Sequence, residues 1–128
     1  MSPATPSTAA GLRVYSYGAC STCRKALAWL SQHGIAVEIL DITTQPPSRQ
    51  ELEAALAQLG RKRLFNTSGQ SYRTLGAAVV KAYSDTEAVA ALAADGRLIK
   101  RPFLISADGS MLTGFQPQEW EALLLPQP

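Results

Sequence analysis

Two cysteines separated by two residues, Cys20 and Cys23, are the residues of this sequence best suited to chemistry. A C-x-x-C pair can form half of a zinc site, act as a thiol redox pair, or serve as inert core residues. A structural zinc ion needs four cysteine or histidine ligands, and the chain offers only these two cysteines and His33. One molecule therefore cannot complete a conventional zinc site, which leaves the other two alternatives.

The elements predicted around the cysteines favour the redox pair. Residues 12–17 are an apolar and aromatic run typical of a buried strand, and apolar residues at helical spacing from Cys23 onward predict a helix over 21–32. Cys20 then precedes the helix, where unpaired backbone N–H groups and the helix dipole favour a thiolate. Cys23 lies on the apolar stripe. We therefore expect Cys20 to attack a substrate and Cys23 to resolve the mixed disulfide.

His33 is not expected to act as a base for Cys20. The two residues are separated by about 13 helical residues at roughly 1.5 Å each, or roughly 20 Å. We expect His33 instead at the C-terminal end of the helix, where a cation is mildly favoured.

The rest of the pattern predicts the order βαβ, a helical insertion, then ββα. Residues 36–40, rich in Val and Ile, predict a second strand that a right-handed crossover makes parallel to the first. Ser-x-x-Glu capping boxes at Ser48 and Ser84 start helices within a helical block over about residues 48–95.

A hairpin and a helix are predicted to complete the fold. Residues 103–105 and 111–113 are apolar runs, and Asp108 and Gly109 between them suit the left-handed positions of a turn. Pro117 opens a last amphipathic helix. The expected fold class is α/β, with a four-stranded mixed sheet flanked by helices.

Length and composition set the class of protein. A chain of 128 residues, 46% hydrophobic, fits one domain over residues 12–125, preceded by a flexible N-terminal tail at 1–11. The tail has no export signal, and no run of about 18 apolar residues predicts a membrane span. We expect a monomeric protein of the reducing cytoplasm, where a disulfide is transient.

The charges exclude nucleic acid as a general partner, because 12 basic against 10 acidic residues give a net charge of only +2. Two basic clusters, residues 61–63 and 100–101, are most simply a solvated surface. No Gly-rich phosphate loop follows the first strand, so no nucleotide cofactor is expected, nor a metal.

Three segments resemble the arsenate reductase ArsC / Spx family: residues 15–26 with their C-x-x-C, Lys100-Arg101-Pro102, and residues 112–115. The resemblance covers nearly the whole chain after residue 11 and implies a thioredoxin-like fold with a helical insertion. It also implies that Cys20 is the catalytic thiol and that Arg101, before a cis Pro102, faces it. A guanidinium beside a thiolate stabilises the thiolate and can hold an oxyanion through two hydrogen bonds.

Two departures from the arsenate-reducing members argue against arsenate as the substrate. Members that use glutaredoxin have further arginines where this sequence has Asn66 and Gly114. They usually lack a cysteine at the place of Cys23, whereas Spx-type members have the C-x-x-C motif.

Two functions remain open at this stage. One is a thiol-dependent reductase, recycled by glutathione with glutaredoxin or by thioredoxin. The other, which the resemblance alone implies, is a redox-switched transcriptional regulator that binds RNA polymerase. The predicted helix from Ser48 to Gly60, with the basic cluster that follows it, is the best candidate for its protein-binding face.

Overall fold

A computed structural model describes residues 11–126 of the chain, which form two compact units. One unit contains the residues up to Leu40 together with those from Arg101 onward, and the other is Asp41–Lys100. The predicted flexible tail lies outside the described residues except for Gly11.

Within residues 11–126, four strands form one sheet in the order β2-β1-β3-β4: β1 (Arg13–Ser16), β2 (Glu38–Asp41), β3 (Phe103–Ile105) and β4 (Met111–Thr113). Strand β3 pairs antiparallel with both β1 and β4, with Val14 opposite Leu104 and Leu104 opposite Leu112. The α/β class, with a mixed four-stranded sheet flanked by helices, is confirmed.

Helices α1 (Ser21–Gln32) and α7 (Pro117–Leu124) pack on this sheet, and Pro117 opens α7 as predicted. The core between them contains six buried residues: Leu12, Val14, Ala26, Leu30, Leu104 and Trp120. The Trp120 indole is fully buried, and its N–H donates to the Gly114 carbonyl at 3.2 Å. A buried tryptophan needs such an acceptor, so this bond ties α7 to the segment after β4.

The hairpin between β3 and β4 differs from the sequence expectation in its turn. Ser106 and Ser110 pair through a backbone hydrogen bond of 2.8 Å, which leaves a three-residue loop. Gly109 has a φ of 89°, but Asp108 is not left-handed, so that half of the prediction was wrong. A three-residue loop of this kind needs a left-handed residue only at its end. Asp108 instead accepts a hydrogen bond from the Ser110 N–H at 3.0 Å.

The unit Asp41–Lys100 is helical: α2 (Arg49–Leu59), α3 (Arg61–Leu64), α4 (Gln70–Leu75), α5 (Ala77–Ala82), α6 (Asp85–Ala94) and a 3-10 helix, Gly96–Leu98. Both predicted capping boxes are confirmed, because Ser48 and Ser84 each exchange hydrogen bonds with the glutamate three residues on. Helices α2 and α6 pack together. Among residues 11–126, none of the helices has the length and apolar character to cross a bilayer.

Candidate functional site

Cys20 is the N-cap residue of α1. Its sulfur accepts a hydrogen bond from the backbone N–H of Cys23 at 3.3 Å, and its own N–H donates to the Tyr17 carbonyl at 3.0 Å. The Arg24 guanidinium donates to the Gly18 carbonyl at 2.8 Å and so fixes the loop before the helix. Short polar groups are common at N-caps, and here a partly exposed thiol takes that place.

The surroundings of Cys20 favour its thiolate. Partial burial by itself raises the pKa of Cys20. Hydrogen bonds from the Cys23 thiol and N–H and from Arg101, together with the positive charge of Arg101, lower the pKa and outweigh the effect of burial. The net result is a pKa below the ordinary value of 9.0. Arg101 therefore stabilises the thiolate in addition to the helix N-terminus, which the sequence already indicated.

The second thiol, Cys23, has the opposite character. Its side chain is fully buried, and this burial, together with the hydrogen bond to Cys20 and the negative charge there, raises the pKa of Cys23 to about 11. The Tyr17 backbone N–H and the Ser16 hydroxyl donate to the Cys23 sulfur and act in the other direction. Both cysteines are free thiols in this structure. The pair thus combines an accessible sulfur, whose ionised form the surroundings favour, with a buried thiol that donates to it.

Arg101 and Pro102 precede β3, and Arg101 lies beside Cys20. The peptide bond between them is cis, and the Arg101 side chain hydrogen-bonds the Cys20 sulfur. Pro102 is buried, and its carbonyl accepts a hydrogen bond from the Gly114 N–H at 3.0 Å. The guanidinium carbon of Arg101 lies 5.2 Å from the centre of the Tyr17 ring.

Ser16 and Tyr17 are site residues that sequence reasoning missed. A serine at the end of an apolar strand was a usable signal, because a buried hydroxyl requires a partner. The position of Tyr17 carried only a weak signal, an aromatic residue between a strand and Gly18.

The remaining polar residues singled out in the sequence lie elsewhere. His33 is the C-cap residue of α1, as predicted, and its Nδ1 lies 2.8 Å from the Trp29 carbonyl. In the other unit, Arg61 forms a salt bridge of 2.8 Å with Asp85. Within residues 11–126, the histidine, cysteine and acidic side chains form no group that could hold a metal ion.

Asn66 lies in the unit Asp41–Lys100, where it is hydrogen-bonded within its own turn and to the carbonyls of Arg97 and Leu98. The Ser68 hydroxyl donates to the Asn66 side-chain oxygen at 3.3 Å, and the Gly69 N–H donates to the Asn66 backbone carbonyl at 3.2 Å. Gly114 carries no side chain, and its φ of 72° is a conformation that favours glycine.

Comparisons with known proteins give relatives of several kinds. The sequence profile of the ArsC family matches residues 15–123. The uncharacterized protein YusI of Bacillus subtilis is 44% identical over 115 residues, which cover 86% of this chain and 95% of YusI. An arsenate reductase of Rhizobium meliloti is 32% identical over 115 residues, covering 88% of this chain and 80% of its own length.

A regulator and a solved structure are also similar. The global transcriptional regulator Spx of Streptococcus agalactiae is 31% identical over 107 residues, covering 82% of this chain and 77% of Spx. The crystal structure of a possible arsenate reductase from Streptococcus mutans superposes with a TM-score of 0.79 at 37% identity. That alignment covers 86% of this chain and 97% of the other.

Proposed function

Because the chain belongs to the ArsC family, we propose that it is a thiol-dependent reductase in which Cys20 is the nucleophile and Cys23 the resolving thiol. The observation that carries the proposal is the placement of the two thiols: Cys20 is partly exposed at the N-cap of α1, and Cys23 is fully buried three residues on. This placement and the nearby Arg101 lower the pKa of Cys20, and burial raises the pKa of Cys23 to about 11. A nucleophile must be ionised and accessible, and a resolving thiol must stay protonated until it is needed. The reducing cytoplasm is the compartment that suits this chemistry.

The first step is attack of the Cys20 thiolate on one sulfur of a substrate disulfide. A bond forms between Cys20 and that sulfur, the substrate S–S bond breaks, and the other sulfur leaves as a thiolate that takes a proton from water. Arg101 stabilises the attacking thiolate and holds it in a defined place.

The second step is resolution by Cys23. Once Cys20 is in a mixed disulfide it carries no negative charge, so one cause of the raised pKa of Cys23 disappears. The hydroxyl of Ser16 and the N–H of Tyr17 then favour the Cys23 thiolate, which forms once Cys23 gives its proton to water. This thiolate attacks the Cys20 sulfur, the bond between Cys20 and the substrate sulfur breaks, and the substrate leaves as a thiolate that takes a proton from water. The substrate gains two electrons, and the protein is left with a Cys20–Cys23 disulfide. An external thiol, glutathione with glutaredoxin or thioredoxin, restores the dithiol.

A disulfide is a better substrate for this site than arsenate. Asn66 and Gly114 stand where the arsenate-reducing members that the sequence resembles have arginines. An oxyanion needs several fixed cations or N–H donors, whereas a disulfide needs only an accessible thiolate.

The test is turnover with glutathione disulfide, a glutathionylated protein and arsenate, each with glutaredoxin or thioredoxin recycling. We expect turnover of a disulfide substrate and none of arsenate. Cys20→Ser should abolish turnover, and Cys23→Ser should accumulate a mixed disulfide on Cys20. Absence of turnover with every substrate and both donors would remove the reductase proposal.

A regulator that binds RNA polymerase is the second candidate, favoured by the similarity to Spx and by a pocket in the unit Asp41–Lys100. The pocket has a volume of about 250 Å³ and is lined by apolar, hydroxyl-bearing and cationic side chains: Arg61, Lys62, Phe65, Thr67, Tyr72, Val80 and Lys81. Lys62 and Lys81 are exposed, so the predicted basic cluster contributes to the rim of an apolar pocket.

The regulator is tested by binding of purified RNA polymerase to the reduced and the oxidised protein. If it is a redox-switched regulator, only one of the two forms binds, and Lys62→Glu with Lys81→Glu weakens that binding. Lys25→Glu, an exposed charge reversal on α1 that lies outside both the helix from Ser48 to Gly60 and the pocket lining, is the matched control. Equal binding, or none, by both forms would exclude the switch.

A further inference from the structure

Tyr17 contacts three members of the thiol site. Its backbone carbonyl accepts from the Cys20 N–H, its backbone N–H donates to the Cys23 sulfur, and its ring lies against the guanidinium of Arg101. The first two contacts belong to the backbone and are kept whichever side chain is present. Only the third depends on the ring, so a substitution of Tyr17 isolates the contact with Arg101.

The ring limits where the Arg101 guanidinium can be. An arginine side chain has many rotamers, and a cation in contact with an aromatic face is held there by the electrons of the ring. Both side chains are partly buried, which limits competition from water. The N–H groups of a guanidinium lie in its own plane, so a contact with the ring leaves them available to the Cys20 sulfur.

We propose that Tyr17 is a positioning residue, whose ring holds the Arg101 guanidinium beside the Cys20 sulfur and thereby sets the nucleophilicity of Cys20. Its role in turnover rests on the proposed reductase function. Its effect on the thiol itself does not, because alkylation of Cys20 needs neither substrate nor electron donor.

Among residues 11–126, the side chains of Cys23 and Arg101 act on the ionisation of Cys20, and Arg24 lies four residues after Cys20 in the chain. Cys23 and Arg24 are on α1, with Arg24 bound to the loop carbonyl of Gly18, and Arg101 precedes β3. None of them is changed by a substitution at Tyr17. A change in the pH dependence of Cys20 therefore reports on the placement of Arg101.

The experiment measures the rate of alkylation of Cys20 by iodoacetamide against pH in a Cys23→Ser background, where only one thiol remains. Tyr17→Phe keeps the ring and should leave the profile unchanged. Tyr17→Leu removes the ring and should move the midpoint to higher pH by up to roughly half a unit, because the energy of the lost cation–π contact sets the upper limit of the effect. A midpoint that is unchanged in the leucine variant would overturn the proposal.

A double substitution shows whether the ring acts through the arginine. If it does, Arg101→Ala raises the midpoint, and adding Tyr17→Leu to Arg101→Ala raises it no further. Additive shifts would mean that the ring acts on Cys20 by another route, which would also overturn the proposal. Thermal unfolding checks each variant, and Tyr17→Met replaces the leucine variant if that one does not fold.

The two proposals can fail separately. If turnover is absent but Tyr17→Leu still shifts the alkylation midpoint through Arg101, the reductase proposal fails and the positioning role stands. If turnover is present but the midpoint does not move, only the role of Tyr17 is lost.

Discussion

The sulfur of Cys20 accepts the backbone N–H of Cys23 at 3.3 Å, so the proposed nucleophile is itself the cap of the helix that carries its partner. The same hydrogen bond closes the first turn of α1 and favours a negative charge on Cys20. Ionisation of the thiol and formation of the helix N-terminus therefore support one another.

The two thiols should be alkylated over different pH ranges. In Cys23→Ser, the rate for Cys20 should reach half its maximum below pH 9.0, because the backbone N–H at position 23 and the hydrogen bond and charge of Arg101 remain to lower its pKa. In Cys20→Ser, the midpoint for Cys23 should lie above 9.0, because burial is the largest cause of its raised pKa and remains. Iodoacetamide kinetics measure both profiles. If Cys23 were alkylated at a lower pH than Cys20, then Cys23 would be the nucleophile and Cys20 the resolving thiol.

Replacing Arg101 tests its effect on the thiol. Arg101→Ala should raise the alkylation midpoint of Cys20, because the hydrogen bond and the positive charge beside the sulfur are both lost. Arg101→Lys keeps the charge and loses the planar donor, so its midpoint should fall between those of the parent and the alanine variant. A midpoint in Arg101→Ala equal to that of the parent would show that the arginine does not stabilise the thiolate.

Mild oxidation should join Cys20 to Cys23 within one molecule. Their side chains are already within hydrogen-bonding reach of each other, and the ionised sulfur of Cys20 is the reactive one. Intact mass spectrometry should show the loss of two hydrogens, and both Cys→Ser variants should lack this change. A covalent dimer as the main product would contradict the resolving role of Cys23.

A methyl group at Gly96 should destabilise the unit Asp41–Lys100. A Cβ there would lie 1.9 Å from the Ile42 carbonyl oxygen, a backbone atom that must shift to make room. Gly96→Ala should lower the free energy of unfolding by about 1–3 kcal/mol, the usual cost of overpacking. Gly18→Ala is the matched control, because a Cβ at Gly18 meets nothing within 4 Å. Equal urea midpoints for the two variants would contradict this account.

Local patterns predicted the parts of the fold that depend on near neighbours. The Ser-x-x-Glu boxes, the cysteine at the helix start and the histidine at its end are all decided within one helical turn. The left-handed conformation predicted for Asp108 was wrong because the length of the turn depends on which residues of β3 and β4 pair. Spacing in the sequence alone does not determine that register.

Local patterns could not predict contacts between residues that are far apart in the sequence. Lys100 and Arg101 are adjacent cations with no local feature to distinguish them, yet Lys100 is exposed and Arg101 reaches the Cys20 sulfur. Only the resemblance to a known family separated them. The ring of Tyr17 became part of the site because β1 and β3 are neighbours in the sheet, which brings the residues at their ends together.

The buried thiol also determines how many protons accompany electron transfer. At a pH between the two pKa values, the reduced pair carries a single proton, held on Cys23. Forming the disulfide removes two electrons but only that one proton, whereas two ordinary thiols would release two. The midpoint potential should therefore change with pH at about 30 mV per unit across this range, half the slope of a two-proton couple. Because the potential of a two-proton donor such as glutathione falls twice as fast, that donor reduces the protein more completely as the pH rises.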